Sequence, residues 1–270
     1  MMPGKTMIGG TAYDVTTGSV MVGGTVYTIK EGKTMVGGTA YSIKVAKGTP
    51  LSEYSVGSIV KMNYSGTARE FIVVHQGKPS SIYDDSCDGT WLLMKDIYTF
   101  NQWHTSNSNS YKASTIHSYL NSTFLRLFDS DIQEAIQEVK IPYVNGDGRA
   151  AVASGANGLA AKIFLLSGYE VGFTTSDNSY FLVDGAKLSY FSSGTMTSAC
   201  NLRIANLNGT ATVWWLRSPI GGGDDSAWNV DINGSYGINS CYDPRGVRPA
   251  LVLPYNTKFD PDTNQFKGAA

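Results

Sequence analysis

A chain of 270 residues with 42% hydrophobic residues can bury one sizeable core and a small appendage. Its 21 Lys and Arg are scattered and offset by 22 Asp and Glu, so no basic face offers itself to a nucleic acid. Charged residues make up only 16% and aromatics 11%, a mixture that suits a β-rich extracellular or virion protein better than a cytosolic helical enzyme. Cys87, Cys200 and Cys241 have no C-x-x-C spacing and leave one thiol over, which excludes a disulfide framework. The N-terminus lacks the apolar core of a secretory signal, and no apolar run approaches the length of a membrane span.

Residues 4–45 hold three copies of one 14-residue unit, beginning at Gly4, Gly18 and Gly32. Each has a β-prone run, a Gly-Gly pair (Gly9-Gly10, Gly23-Gly24, Gly37-Gly38) and a second run with Tyr and an Ile or Val in alternation, the pattern of a β-hairpin. A hairpin is marginal alone, so residues 1–46 are expected to stack on one another or on other copies of the chain. Residues 47–50 read as a linker and residues 257–270 as a polar, frayed tail.

In the main body, Ile59 to Tyr64 and Glu70 to Val74 predict a hairpin about Ser65-Gly66, and Trp91 to Met94 a core strand. Ser114 then stands as a helix cap before Ile116, Tyr119, Leu120, Phe124 and Leu127, spaced by threes and fours. A second, shorter amphipathic helix is predicted from Ser130 through Ile132, Ala135, Ile136 and Val139, ending before Pro142. Residues 145–161 read as a featureless loop, residues 162–167 as a return to the core, and Tyr180 to Val183 and Leu188 to Phe191 as short strands or loop anchors.

The most informative stretch is the C-terminal one. Trp214-Trp215-Leu216-Arg217-Ser218-Pro219 and Gly246-Val247-Arg248-Pro249-Ala250-Leu251-Val252-Leu253 have the apolar, stiff composition of buried strands. Between them, from Gly221 to Arg245, 18 of 25 residues are Gly, Asp, Ser, Asn, Tyr or Cys. Such a segment buries little of itself, so Trp214, Trp215, Arg217, Arg248 and Pro249 read as structural clamps around a displayed surface. On that surface the candidate ligand-binding residues are Asp224, Asp225, Trp228, Asn229, Asp231, Asn233, Tyr236, Asn239 and Tyr242, the aromatics offering large contact area at small entropy cost.

The two clamp motifs, with Lys162 to Ser167 and Tyr119 to Leu125 upstream, resemble a family of C-type-lectin-like domains of gut bacteria and their phages. That family includes variable proteins diversified by retroelements, and the resemblance covers roughly residues 51–256. It implies an α+β fold, antiparallel strands with two helices, preceded here by a small all-β repeat region. It further implies non-catalytic recognition of a bacterial surface protein or glycan, with the composition of residues 221–245 matching the outcome of adenine-directed diversification. The repeats resemble phage tail and fibre segments, which implies a trimeric stem and a place in the virion, reached from the host cytoplasm without a signal.

No catalytic residue, metal or cofactor is expected. His75, His104 and His117 stand in separate contexts, no G-x-S-x-G elbow occurs, and Cys241 has no evident base. Trp228-Asn229-Val230-Asp231 only approximates the calcium-ligating strand of sugar-binding lectins, although Asp224 and Asp225 could hold a cation adventitiously. The rival reading is a glycan-active enzyme drawing on Glu134, Glu138, Glu170, Asp184 or Asp231, and a third is a bacterial surface protein of lectin type.

Overall fold

The computed structural model describes residues 48–106, 108–192, 196–223 and 225–268, with backbone alone for residues 196–199 and for six strands between residues 5 and 43. Those six strands form three antiparallel pairs, Lys5–Ile8 with Thr11–Asp14, Ser19–Val22 with Thr25–Thr28, and Gly32–Val36 with Thr39–Ile43. The Gly-Gly pairs that would turn them lie outside the described residues.

From residue 48 onward, ten strands carry the core: β1 (Ile59–Tyr64), β2 (Thr67–Gln76), β3 (Thr90–Met94), β4 (Thr99–Gln102), β5 (Ile163–Phe164), β6 (Trp214–Pro219), β7 (Ser226–Val230), β8 (Tyr236–Ser240), β9 (Pro244–Val247) and β10 (Ala250–Leu253). They make two five-stranded sheets, ordered β5-β10-β3-β2-β1 and β4-β9-β6-β7-β8. The first sheet is antiparallel throughout. In the second, only the β6–β9 contact, Trp214 opposite Gly246, is parallel. Strand character follows burial: β1, at an edge, alternates with Val60, Met62 and Tyr64 inward, whereas β3 and β10, covered on both faces, are apolar at nearly every position.

The sheets share a corner. The chain leaves β3 through Lys95 to Tyr98 into β4, and returns from β9 through Arg248-Pro249 into β10, so two hydrogen-bonded neighbours cross from sheet to sheet together. The ladder continues across the bend, with Met94 N–H on Pro249 O at 2.8 Å and Tyr98 N–H on Val247 O at 2.9 Å. Arg248 fills the inside of the corner. Its guanidinium donates to the carbonyls of Met94 (2.9 Å), Lys95 (3.1 Å) and Arg203 (3.3 Å) and lies over the Trp214 ring.

The expected two-helix α+β arrangement is corrected. Strands take 35% of residues and helices 18%, and the fold is β-rich with several small sheets. The apolar spacing after Ser114 does wind the chain, with Ser114 Oγ accepting from His117 N–H, but only Thr115–Tyr119 (α1) is α-helical before it loosens to a π turn and tightens to a 3-10 turn ending at Leu127. The second helix, Ser130–Ala135 (α2), is six residues long. Val139 belongs instead to a strand, Val139–Ile141, paired with Leu159–Ala161, because β-branched residues fit a buried ladder better than a helix end. A third helix, Met196–Arg203 (α3), had no apolar periodicity to announce it.

Two further segments differ from expectation. Residues 145–161 are not featureless, since Val152–Ala153 pairs with Tyr143–Val144 and Leu159–Ala161 with Val139–Ile141. As far as residue 268 the tail is not frayed, and residues 49–50 are not a free linker. Lys258–Phe259 lies between Phe266–Gly268 and Thr49–Pro50 in a three-stranded sheet, with Phe259 fully buried. One aromatic side chain with a core site to fill is enough to tie down a polar segment. No helix among the described residues is long and apolar enough to cross a membrane.

Candidate recognition surface

The clamped segment occupies four of the five strands of the second sheet. Its inner end is built on Arg217, whose side chain lies in the middle of the core at 1% exposure. Two of its nitrogens grip both oxygens of Glu170, at 2.5 and 2.7 Å, and the guanidinium also donates to the carbonyls of Pro142 (3.1 Å), Leu165 (3.0 Å) and Asp184 (2.9 Å). Glu170 accepts in addition from Tyr83 Oη (2.8 Å) and Ser167 N–H (2.9 Å). The cluster is thus a bidentate ion pair with nearly every remaining lone pair and proton satisfied, the condition under which a buried pair is tolerated.

Asp184 completes the cluster and is its weak member. Its Oδ2 accepts from Ser218 Oγ at 2.7 Å, while Oδ1 is buried without a hydrogen-bond partner among the described residues. Burial pushes its carboxyl up to about 6, against the pull of Arg217 and the Ser218 hydroxyl. The same burial raises the thiols of Cys87 and Cys241 to about 12.

Beyond Pro219 the chain turns outward. The base of the loop after Gly221 is tied by Asn109, a fully buried side chain whose amide donates to Ser226 O (2.8 Å) and accepts from Gly148 N–H (3.0 Å). The far end, the turn from Asp231 to Ser235, is tied by Arg203 of α3, which donates to Gly234 O at 2.9 Å and lies 4.1 Å from the Phe173 ring centre. Gly234 has φ +78° and runs so close to Cys200 O that no Cβ would fit. The hairpin β7–β8 is therefore fixed at both ends by residues remote in sequence.

Between those ends the candidates divide. Asp225, Asn233 and Tyr242 are exposed, and Asp231, Tyr236 and Asn239 are half-buried. Trp228 and Asn229 are corrected: both are core residues, at 0% and 1% exposure, and cannot be first contacts for a ligand. Trp228 stacks on Phe181 with centroids 3.9 Å apart and meets the edge of Tyr236, so it supports the surface from beneath. Its indole N–H has no hydrogen-bond partner among the described residues. Tyr236 also donates its hydroxyl to Asp177 O at 3.0 Å, holding the 174–184 loop against the sheet. Asp224 lies outside the described residues.

On the opposite face, Asn229 lies over Gly237, where a Cβ would sit 2.6 Å from its Oδ1. Its amide donates to Asn239 Oδ1 (2.9 Å), which accepts also from Arg245 Nε (2.9 Å), and Arg245 reaches Asp243 at 3.4 Å. The result is a neutral-to-mixed polar ladder on that face, whereas Ile238, opposite Trp228 in register, lies on the other. Ile232 (54%), Ile238 (43%) and, on β4, Phe100 (51%) stand out from the surface. These three were missed in the sequence because they look like ordinary strand residues. Only their position at an edge or turn of the sheet leaves them in water.

The remaining candidates stay apart. His75 contacts Ser189 Oγ (2.8 Å), His104 contacts Thr115 Oγ1 (3.1 Å), and His117 lies against the Tyr111 ring; burial lowers all three imidazoles. Glu170 and Asp184 do meet, but in the core around Arg217, out of reach of a substrate. Glu138 is not on a helix with Glu134, because α2 ends at Ala135. Among the described residues no three His, Cys, Asp or Glu side chains are grouped to hold a metal ion.

The sequence profile of DUF6273, described as a domain of unknown function, matches residues 88–255, and the chain belongs to that family. The match takes in the shared corner, Arg217 with Glu170 and Asp184, and the whole clamped segment, and leaves out Tyr83, the β1–β2 hairpin and the repeats. Neither curated proteins nor solved structures give a match to the chain.

Proposed function

We propose that this member of the DUF6273 family is a non-catalytic recognition protein, the receptor-binding component of a phage or prophage tail. Its contact surface is the outer part of the second sheet, and its ligand is a protein or glycan of a bacterial surface. The observation that carries the reading is the division of labour within residues 214–247. Arg217, Asn109 and Arg203 lock the ends of the hairpin, and between them Asp225, Asn233, Ile238 and Tyr242 are exposed and Asn239 is half-buried. A scaffold of this kind tolerates changes in its displayed residues without loss of fold, which is what a surface that must follow a changing receptor needs. The three hairpin repeats support a multivalent stem, since repeated copies raise the avidity of a weak site without new contacts.

The test is binding of fluorescently labelled full-length protein to panels of intact gut bacteria and to isolated surface glycans. Single substitutions at Asp225, Asn233, Asn239 and Tyr242 should each weaken capture by a graded amount, with Tyr242→Ala the largest because a half-exposed aromatic supplies the most contact area. Unchanged capture after all four substitutions together would reject this surface as the site. Turnover of a bound glycan, abolished by a single carboxylate substitution, would reject the non-catalytic reading.

A further inference from the structure

A second concave site lies at the outer side of the corner between the sheets, away from the clamped hairpin. Strands β2 and β3 pair with Phe71 opposite Met94, and the next step is still closed, Lys95 N–H donating to Glu70 O at 2.9 Å. On one side of the ladder at this step, Lys95 Nζ and Glu70 form an ion pair at 2.6 Å. One step further, the same register places Arg69 opposite Asp96 on the other side of the ladder. There the strands part. Ile97 N–H has turned away to Asn206 O (2.8 Å) as the chain leaves for the second sheet.

The wedge left open is a pocket of about 330 Å³, within the size range of small-molecule sites. Arg69 and Asp96 both line it, with Tyr98, Ile97 and Leu207 as apolar wall and the Asn208-Gly209 turn as rim. The side chains of Arg69 and Asp96 have no hydrogen-bond or ion-pair partner among the described residues, although each has an opposite charge next to it in sequence, Glu70 and Lys95. A simple anion would meet Asp96, and a simple cation would meet Arg69. Only a ligand carrying both signs is matched by both walls.

We infer that this pocket binds a small zwitterion of the amino-acid class, its carboxylate on Arg69 and its ammonium group on Asp96, with an apolar side group against Tyr98 and Leu207. A guanidinium gives a carboxylate two parallel donors, so the anionic end should be the more strictly recognised. Exposure of both charges keeps the affinity low, with Kd about millimolar.

The experiment is a titration of the full chain with L-leucine, N-acetyl-L-leucine and L-leucinamide, followed by amide NMR shifts and by calorimetry. L-leucine should shift residues around the pocket, and each derivative, lacking one charge, should bind about tenfold more weakly, the equivalent of one lost charge contact. Arg69→Gln should bring L-leucine down to the level of L-leucinamide, and Asp96→Asn should bring it down to that of N-acetyl-L-leucine. Tyr242→Ala should change nothing here, so failure of the recognition surface and failure of this pocket are read separately. The inference is overturned if none of the three ligands shifts the pocket at about 10 mM. It is equally overturned if the three bind alike, or if Arg69→Gln and Asp96→Asn leave L-leucine binding intact.

Discussion

The inner and outer ends of the second sheet are held by different physics. Around Arg217, each charged group is out of water and bound to partners that cannot move away. Along β8 the strand has one neighbour only, and its side chains are half in solvent. Removing a partner at the inner end strands a buried charge, whereas at the outer end water replaces what is lost. The lesson is that one continuous segment of sequence can be intolerant and permissive within about ten residues of strand, with the boundary set by burial alone.

The sharpest way to break this contrast is Arg217→Met. It leaves Glu170 charged in the core and should cost about 3–5 kcal/mol, read as a lower urea midpoint or loss of soluble protein. The double change Arg217→Met with Glu170→Gln should recover part of that loss. A single variant within about 1 kcal/mol of the parent would show that the pair does not hold the inner end.

Asp184 makes the contrast pH-dependent. An aspartate in the unfolded chain titrates near 4 and this one near 6, so the fold binds the proton more tightly than the unfolded chain does. The stability from the protonated form is fully present below about pH 4 and is lost as pH rises through about 6, a change of about 3 kcal/mol. Urea unfolding from pH 4 to pH 8 should show this decline in the parent relative to Asp184→Asn, which has no proton to lose. Parallel pH profiles for the two proteins would exclude it.

Arg248 tests the corner between the sheets. Unlike Arg217 it has no carboxylate partner among the described residues, and burial lowers its guanidinium to about 10. Arg248→Lys keeps a charge but cannot serve the carbonyls of Met94, Lys95 and Arg203 in one plane, and should cost about 2 kcal/mol. Thermal melting of that variant, compared with Arg217→Met, ranks the two clamps.

The smallest effects belong to the outer end. Tyr242→Ala should shift stability by less than about 0.5 kcal/mol while weakening capture by cells. Thiol labelling gives an independent view of the same boundary. Cys241, next to exposed Tyr242 in sequence, is buried with its thiol pushed up to about 12, so it and Cys87 should stay unlabelled in the native protein and react only after unfolding. Labelling of Cys241 at the rate of an exposed thiol would place the boundary deeper than drawn.

How far the sequence could be read depended on range. The β1–β2 hairpin, the β3 core strand and the wound segment after Ser114 were legible, because alternation, turn residues and caps act over a few positions. The apolar runs on either side of residues 221–245 were legible as buried strands: Trp214 and Trp215 are fully buried, and Pro249 sits at the bend where the chain changes sheet. The helical share was overread, since the same three-and-four spacing gave only short α, π and 3-10 turns beside a sheet that claimed Val139. Within the candidate surface, Trp228 was misplaced because composition treats residues 221–245 as uniformly exposed. A strand in that segment has a covered face, and Phe181, 47 positions upstream of Trp228, is what covers it.

By itself, then, the sequence determined the local elements, the buried apolar runs of residues 214–219 and 246–253 and the polar character of the segment between them, all of which rest on near-neighbour periodicity and side-chain chemistry. The tertiary structure alone decided that two neighbouring strands cross together between sheets, that Arg217 meets Glu170, and that Asn109 and Arg203 fix the hairpin. It also decided that Arg69 and Asp96 line one open pocket. Those pairings join residues tens to more than a hundred positions apart, and only the register and twist of the sheets bring them into contact.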